Sequence, residues 1–292
     1  MYAILNVLTG TQINIYSPMK IKYQLLLFSF LLVSTAYGQR KPKIKGSRVV
    51  VEVREDLAPF TAIELNDDVD IVLQKSSDSG YSLEIDDNLV DVLKFRVVEG
   101  TLSISSFYDI RSKKKMKIIV FYDQLNSITL RDGKIDMEDV ITTDELSIST
   151  YGSSKLKLNA DAAYIDVLML ENSFADLTIN ADTLNIALKD RIDAKIYATS
   201  KTHRLEMFKN AQVKMEGNTE IFDIQLFESA TLKAENLTAQ EVSLKIEAST
   251  SAYVNASNLM SLDSKGTAKT YLYGSGKITI LNFLDSSQLS KK

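Results

Sequence analysis

The 292-residue sequence contains no cysteine and no tryptophan, and it has only one histidine and three prolines. Without cysteine the chain can form no disulfide framework, has no thiol nucleophile and lacks the lipid-accepting residue of a bacterial lipoprotein. The single histidine, His203, excludes a metal site built from several histidines. These absences remove thiol catalysis and multi-histidine metal chemistry from the functions to be considered.

The charge balance is mildly acidic, with 34 Lys and Arg against 38 Asp and Glu. A nucleic-acid-binding protein needs a basic face that neutralises phosphates, so the composition predicts no nucleic-acid partner. Apolar residues make up 45% of the chain and charged residues 25%, which is an ordinary globular composition. We therefore expect a folded protein with a large core.

Residues 1–38 have the features of upstream residues followed by a Sec signal peptide. The segment Met19–Lys22 is basic, Leu25–Val33 is an apolar run, and Ala36–Gly38 has the small-x-small form of a cleavage site. The apolar run is well short of the roughly 20 residues of a spanning helix, so a membrane anchor is the weaker interpretation, and we expect no transmembrane segment in the mature chain. The pattern predicts Met19 as the true start, Gln39 as the mature N-terminus, and export to the periplasm, the cell surface or the medium.

After a basic linker at 39–47, residues 48–132 are predicted to form an N-terminal β part. Alternating apolar residues indicate short strands in "RVVVEVRE" and in "FTAIELNDDVDIVLQ", where Asn66–Asp68 supplies a turn. One helical turn is expected near Asn88–Val92. A hairpin is expected to close at Glu99–Gly100.

From residue 133 the pattern becomes a repeat, which we expect to continue to residue 281 before a short tail at 282–292. A small residue is followed at two-residue steps by aliphatic residues, and a second alternating burst comes before the next small residue. The small residues are Gly133, Ser154, Ala175, Ala211, Ala230 and Ala252. A period near twenty with two short strands per period predicts a solenoid of about seven or eight stacked coils. A β-sandwich is the main rival, because short strands at regular spacing also fit that class.

Two stretches resemble the head GIN domain family of auto-transporter adhesins. The first is "FTAIELNDDVDIVLQKSSDSGYSLEIDDNLVDVLKFRVVEGTLSIS", the second is "YDQLNSITLRDGKIDMED", and the tail "YLYGSGKITI" is similar to the family's final coil. The resemblance covers roughly residues 55–280. It implies an all-β protein with a right-handed parallel β-helix-like solenoid preceded by an N-terminal β segment, at the cell envelope or surface.

The sequence offers few candidates for chemistry, and we predict no catalytic residue, no metal site and no cofactor. His203 lies among charged residues in "SKTHRLEM" and is expected to be a solvated loop histidine. The cluster Asp67, Asp68 and Asp70 could bind Ca²⁺, but it also fits an acidic turn next to an exposed strand face. It lacks the spacing of an EF-hand.

One dense basic run suggests a binding site. The segment "IRSKKKMKIIV" holds five cations, which we predict to form a loop that binds an anionic ligand: Arg111, Lys113, Lys114, Lys115 and Lys117. Lysines also protect exposed strand edges, so the run has a structural alternative. The sequence as a whole predicts an exported, non-catalytic, adhesin-like binding protein whose partner is an envelope or surface glycan or protein. The alternatives are a carbohydrate-active β-helix enzyme, a polysaccharide lyase or hydrolase, and a purely structural periplasmic spacer.

Overall fold

The computed structural model describes residues 41–292, which form a β-solenoid of about nine turns with 72% strand and 2% helix. This architecture confirms the predicted all-β solenoid. The predicted signal peptide at 1–38 lies outside the described residues. Residues Lys43–Lys292 form one compact unit.

Twenty strands, numbered in chain order, make up residues 41–292. They are β1 (Lys43–Lys45), β2 (Val50–Asp56), β3 (Ala62–Leu65), β4 (Asp70–Lys75), β5 (Gly80–Asp86), β6 (Leu93–Val98), β7 (Thr101–Ser106), β8 (Asp109–Ser112), β9 (Met116–Tyr122), β10 (Ser127–Leu130), β11 (Lys134–Thr150), β12 (Lys155–Met169), β13 (Phe174–Leu188), β14 (Asp193–Met207), β15 (Gln212–Leu226), β16 (Thr231–Ala248), β17 (Ser251–Gly266), β18 (Lys269–Tyr273), β19 (Lys277–Phe283) and β20 (Gln288–Lys291). A 3-10 turn spans Asp87–Val92, where one helical turn is predicted.

Strands β11 to β17 pair in chain order, each parallel to the next. Lys155 pairs with Phe174, Phe174 with Asp193, and Asp193 with Gln212, so equivalent positions are 19 residues apart. Each of these long strands supplies one coil, and hydrogen bonds between coils run along the solenoid axis at a spacing of about 4.8 Å. The structure therefore has a tighter period than the spacing of small residues suggests.

The alternation of the sequence places every second side chain in the shared interior. Across β12 to β17, one inward column consists of aliphatic side chains that are at most 2% exposed: Leu156, Ala175, Ala194, Val213, Leu232 and Ala252. The polar residues between them face water. A large side chain buried in this way contributes roughly 1.5–3 kcal/mol, and the stacking of coils is what buries it.

The corner before each long strand repeats the same backbone geometry. Residues at this corner have positive φ in successive coils, namely Gly152, Glu171, Asp190, Lys209 and Glu228. Two residues later lies a buried column in which most side chains are small, among them Ser154, Ala211 and Ala230, and one is Ile192. Ala175 and Ala252, taken from the sequence as corner residues too, lie two positions further along, inside their strands. Small residues thus occur in two neighbouring columns, which explains the irregular spacing read from the sequence.

Parallel stacking begins earlier than residue 133. Strand β3 pairs parallel with β7 and β10, and β4 pairs parallel with β9 and β11. The first coils therefore come from the segment assigned to an N-terminal β part, which accounts for more turns than the seven or eight predicted. Antiparallel pairing is found for β2 with β5, β5 with β9, and β6 with β7, the last pair closing at the predicted Glu99–Gly100 turn.

Both segments expected to flank the folded region contain strands. In the predicted linker at 39–47, β1 pairs parallel with β8. In the predicted tail at 282–292, β20 pairs with β18, and β19 extends to Phe283. The flanking segments are therefore ordered in part, because their backbones complete hydrogen bonds at the edges of the solenoid.

Candidate functional site

Strand β1 brings the basic linker next to the predicted basic loop. Lys43 pairs with Asp109 and Lys45 with Ser112, so the two runs of positive charge share one surface although about 65 residues separate them. We call this the basic surface, and its cationic residues are Lys43, Lys45, Arg48, Arg111, Lys113, Lys114, Lys115 and Lys117. All eight are exposed.

The backbone of the basic surface is held by one buried carboxylate. Asp86, with no exposed surface, accepts backbone N–H groups from Arg48 at 3.0 Å, from Lys114 at 3.1 Å and from Lys115 at 3.1 Å. Burial raises the pKa of the Asp86 carboxyl, but the backbone donors outweigh it, and the pKa lies below its ordinary value. The ionised side chain thus fixes the positions from which three cationic side chains extend.

A small pocket is lined by residues whose backbone Asp86 holds. It has a volume of about 420 Å³, and its lining includes Gly46, Arg48, Lys113 and Lys114. Gly46 approaches Asp86 so closely that a Cβ at this position would lie 2.1 Å from its Oδ2 atom. Glycine is therefore required for the close approach that forms the pocket wall.

Some cations of the basic surface already lie close to an acidic side chain of the protein, and others do not. Arg111 forms an ion pair with Asp109 at 2.5 Å, and Lys115 lies 3.4 Å from Glu84. Lys117 is the cross-strand neighbour of Glu84. Among the described residues Lys113 and Lys114 form no side-chain ion pair, so they, together with Arg48, are the cations best placed to bind a ligand in the pocket.

In the acidic cluster Asp67, Asp68 and Asp70, the fold gives Asp67 and Asp70 different neighbours. Asp67 accepts the backbone N–H of Ser106 at 2.6 Å, and Asp70 lies opposite Lys134 in the neighbouring strand. Within residues 41–292 no group of three or more acidic or histidine side chains is arranged to hold a metal ion. The turn that remains joins the first strands of the solenoid.

His203 is a core residue, and its expected place in a solvated loop is wrong. It lies in β14 with no exposed surface, between Leu184 and Phe222 of the neighbouring coils. Its Nδ1 atom lies 3.0 Å from the Ser200 hydroxyl, and its Nε2 atom has no hydrogen-bond partner in the described part of the chain. Burial lowers the pKa of His203 to about 4, which keeps the ring neutral near neutral pH.

A shallow groove of about 470 Å³ runs across the outer face of β11 to β14. Asp166, Asn185 and Arg204 stack across it: the Asn185 amide donates to Asp166 at 2.9 Å, and Arg204 donates to Asn185 at 3.3 Å. Glu206 lies two residues beyond Arg204. From the register, the backbones of the two acidic residues are about 12 Å apart.

The stacked parallel coils place the chain in the class of β-solenoid proteins. Within that class it belongs to the family described as "Putative auto-transporter adhesin, head GIN domain", whose model matches residues 59–189 and 170–276. This match confirms the resemblance seen in the sequence.

Solved structures with the same fold come from Parabacteroides. One is described as a "putative lipid binding protein" from Parabacteroides distasonis (18% identity, TM-score 0.60, 86% of this chain and 99% of that chain covered). Another is a "putative adhesin" from Parabacteroides merdae (14% identity, TM-score 0.59, with the same coverage). A search of curated proteins finds no match. Within residues 41–292, no helix has the length and apolar character needed to cross a membrane.

Proposed function

We propose that this protein is an exported, non-catalytic, adhesin-like protein of the cell envelope or surface, and that its basic surface binds an anionic ligand. The observation that carries the proposal is the pairing of β1 with β8, which joins two separate basic runs around a pocket. Hydrogen bonds to Asp86 fix the backbone of both runs at this pocket. The family description as adhesin supports a binding role.

The ligand chemistry follows from the side chains. Lys113, Lys114 and Arg48 offer ammonium and guanidinium donors, which bind carboxylate, sulfate or phosphate groups through charge-assisted hydrogen bonds. Because these side chains are exposed, the attraction is screened within about 8–10 Å at physiological ionic strength. We therefore expect moderate affinity that falls steeply with salt. An acidic envelope glycan and an anionic lipid head group share this chemistry.

The alternative of a carbohydrate-active enzyme receives little support from the outer groove. Both stereochemical classes of glycoside hydrolase hold two carboxyl groups about 5–9.5 Å apart. Asp166 and Glu206 are not held as such a pair: they lie two coils and two residues apart in the register, and the Asp166 carboxylate accepts the Asn185 amide at 2.9 Å. A binding role is the function that this surface favours.

The proposal is tested with residues 39–292 on an array of neutral and acidic glycans and on vesicles with and without anionic lipid. The variant replaces Lys113, Lys114 and Lys115 with alanine. We expect binding to acidic glycans or anionic vesicles at low salt, weakened at least tenfold both by high salt and by the substitution. The two arms of the experiment distinguish a glycan from a lipid head group.

The matched control removes the same charge elsewhere. Lys195, Lys214 and Lys233 stack on neighbouring coils and are exposed, so their triple alanine variant has an equal charge change. Equal loss in both variants would mean non-specific attraction and would overturn the assignment of the site. Absence of binding to any glycan or vesicle would leave a protein partner or a structural spacer as the better explanation.

A further inference from the structure

The two-stranded sheet formed by β1 and β8 has an inward face and an outward face. Ile44 and Ile110 pair in register, are partly buried and pack against the core. Side chains alternate between the two faces of a strand, so Lys43 and Lys45 of β1 and Arg111 of β8 lie on the outward face, where all three are exposed. The sheet therefore turns a cationic face to solvent while its other face is packed on the solenoid.

Exposed apolar side chains flank this sheet at both ends. Phe107 precedes β8 by two residues and is 68% exposed, the highest value of any large apolar side chain within residues 41–292. Its ring meets the edge of Tyr108, with 5.3 Å between the centroids, and it is Tyr108 that packs against the core. At the other end, Val49 follows Arg48 of the pocket and is 58% exposed. Packing within the solenoid does not account for the apolar character of Phe107 or Val49.

The charge around these two side chains is strongly positive, in contrast to the rest of the chain. Residues 41–48 and 107–117 hold nine of the 34 Lys and Arg and one of the 38 Asp and Glu, which leaves 25 against 37 elsewhere. The one acid, Asp109, forms an ion pair with Arg111. An anionic surface would attract this end of the molecule and repel the remainder, and it would thereby orient the protein.

Exposed apolar side chains among cations fit a lipid surface better than a soluble glycan. At a lipid–water interface, the strength of binding depends on the apolar area buried and on the attraction of Lys and Arg to anionic lipids. The basic surface and its two flanking apolar residues supply both contributions. A sugar ring could stack on Phe107, but the aliphatic Val49 offers no such stacking face. The pair of residues therefore favours insertion among lipids.

We propose that the β1–β8 sheet, with Phe107 and Val49 at its ends, docks on the surface of an anionic lipid bilayer. The two apolar side chains enter the boundary between head groups and acyl chains, and the surrounding Lys and Arg side chains contact lipid phosphates. This inference rests on the proposed function, because it uses the same basic surface, and it narrows the ligand to lipid. The solenoid itself stays in water.

The absence of tryptophan from the chain allows a single one to be introduced as a reporter. Residues 39–292 with Phe107→Trp are mixed with vesicles of phosphatidylcholine alone or with about 30% phosphatidylglycerol. We expect the tryptophan emission to shift to shorter wavelength only on the anionic vesicles, and to be quenched by brominated acyl chains. The matched control is Tyr197→Trp, because Tyr197 is 54% exposed on β14, in the middle of the solenoid. The emission of the control should not change.

Two substitutions at Phe107 separate apolar insertion from stacking on a sugar. Phe107→Ala should lower the affinity for anionic vesicles at least fivefold, because the side chain no longer buries its apolar area. Phe107→Leu should retain most of the affinity, since insertion needs apolar area and not a ring. The side chain is exposed, so neither change should alter the melting temperature. An equal loss in both variants would indicate ring stacking on the ligand and would overturn the proposal.

The remaining outcomes distinguish a failure of this inference from a failure of the proposed function. Vesicle binding that depends on Lys113 and Lys114 but leaves the emission of Phe107→Trp unchanged would refute insertion and support the proposed function. Binding of acidic glycans through the same lysines, with no binding to vesicles, would refute the lipid surface alone. No binding to either ligand would refute both. An equal emission shift in Tyr197→Trp would show non-specific adsorption and would also overturn the proposal.

Discussion

The buried His203 makes the protein sensitive to mild acid in a way that one substitution should remove. The ring is neutral in the fold because burial lowers its pKa from 6.5 to about 4. The unfolded chain therefore binds more protons than the folded chain between these two values, and stability falls as the pH drops through this window. The penalty is complete below about pH 4, where it reaches about 3 kcal/mol at 1.36 kcal/mol for each pH unit.

The substitution His203→Phe isolates this contribution. Its neighbours in the same inward column are Leu184 and Phe222, so a phenyl ring suits the site. Between about pH 7.5 and about pH 5, urea unfolding should show wild type losing about 2 kcal/mol more than the variant, since most of the window has then been crossed. His203→Leu provides a second apolar replacement. Parallel pH curves for wild type and both variants would refute a neutral, buried histidine.

Three further substitutions test the packing of the coils and of the candidate site. Gly217→Ala should lower the melting temperature by several degrees. The new Cβ would lie 2.1 Å from the Ala198 carbonyl oxygen, and the residue has a φ of +117°. An unchanged melting temperature would contradict this backbone geometry. Gly46→Ala should displace Asp86 and speed amide exchange in the basic loop, and unchanged exchange rates would show that the carboxylate does not hold the loop. Leu177→Ala should cost about 2–5 kcal/mol in urea unfolding, and a cost below about 1 kcal/mol would argue against a close-packed interior.

The solenoid could be predicted from the sequence because its two periodicities are local. Alternation sets the inward and outward faces, and recurrence near twenty residues sets the stacking. The 19-residue register was missed because small residues occur both at the corner, as in Ser154, and at the next inward position, as in Ala175. The start of stacking at β3 and β4 was also missed, because strands that pair antiparallel follow β4 in the chain and interrupt the repeat before β10.

His203 shows how the flanking sequence can mislead. Lys201 and Arg204 suggest a solvated loop, whereas alternation within β14 turns the histidine inward. The useful signal lay 19 residues away on either side, at Leu184 and Phe222. A residue in a stacked fold is better judged from its equivalents in neighbouring coils than from its neighbours in the chain.

The basic surface was only partly visible in the sequence. The run from Arg111 to Lys117 is obvious as composition, but the contributions of Gly46, Arg48 and Asp86 depend on contacts between residues 28 or more positions apart. Nothing in the local sequence of Asp86 distinguishes a backbone clamp from an exposed turn aspartate. Sequence patterns reveal which charges are available, and tertiary pairing decides which of them act together.

The 19-residue register from β12 to β15 has a mechanical consequence. Because hydrogen bonds between coils run along the solenoid axis, a force along that axis would separate coils one after another and would not shear whole sheets at once. Each 19-residue coil released in this way would lengthen to about 65 Å when fully extended. A chain under tension between two attachment points would therefore yield in small, repeated steps and could recover them when the tension falls.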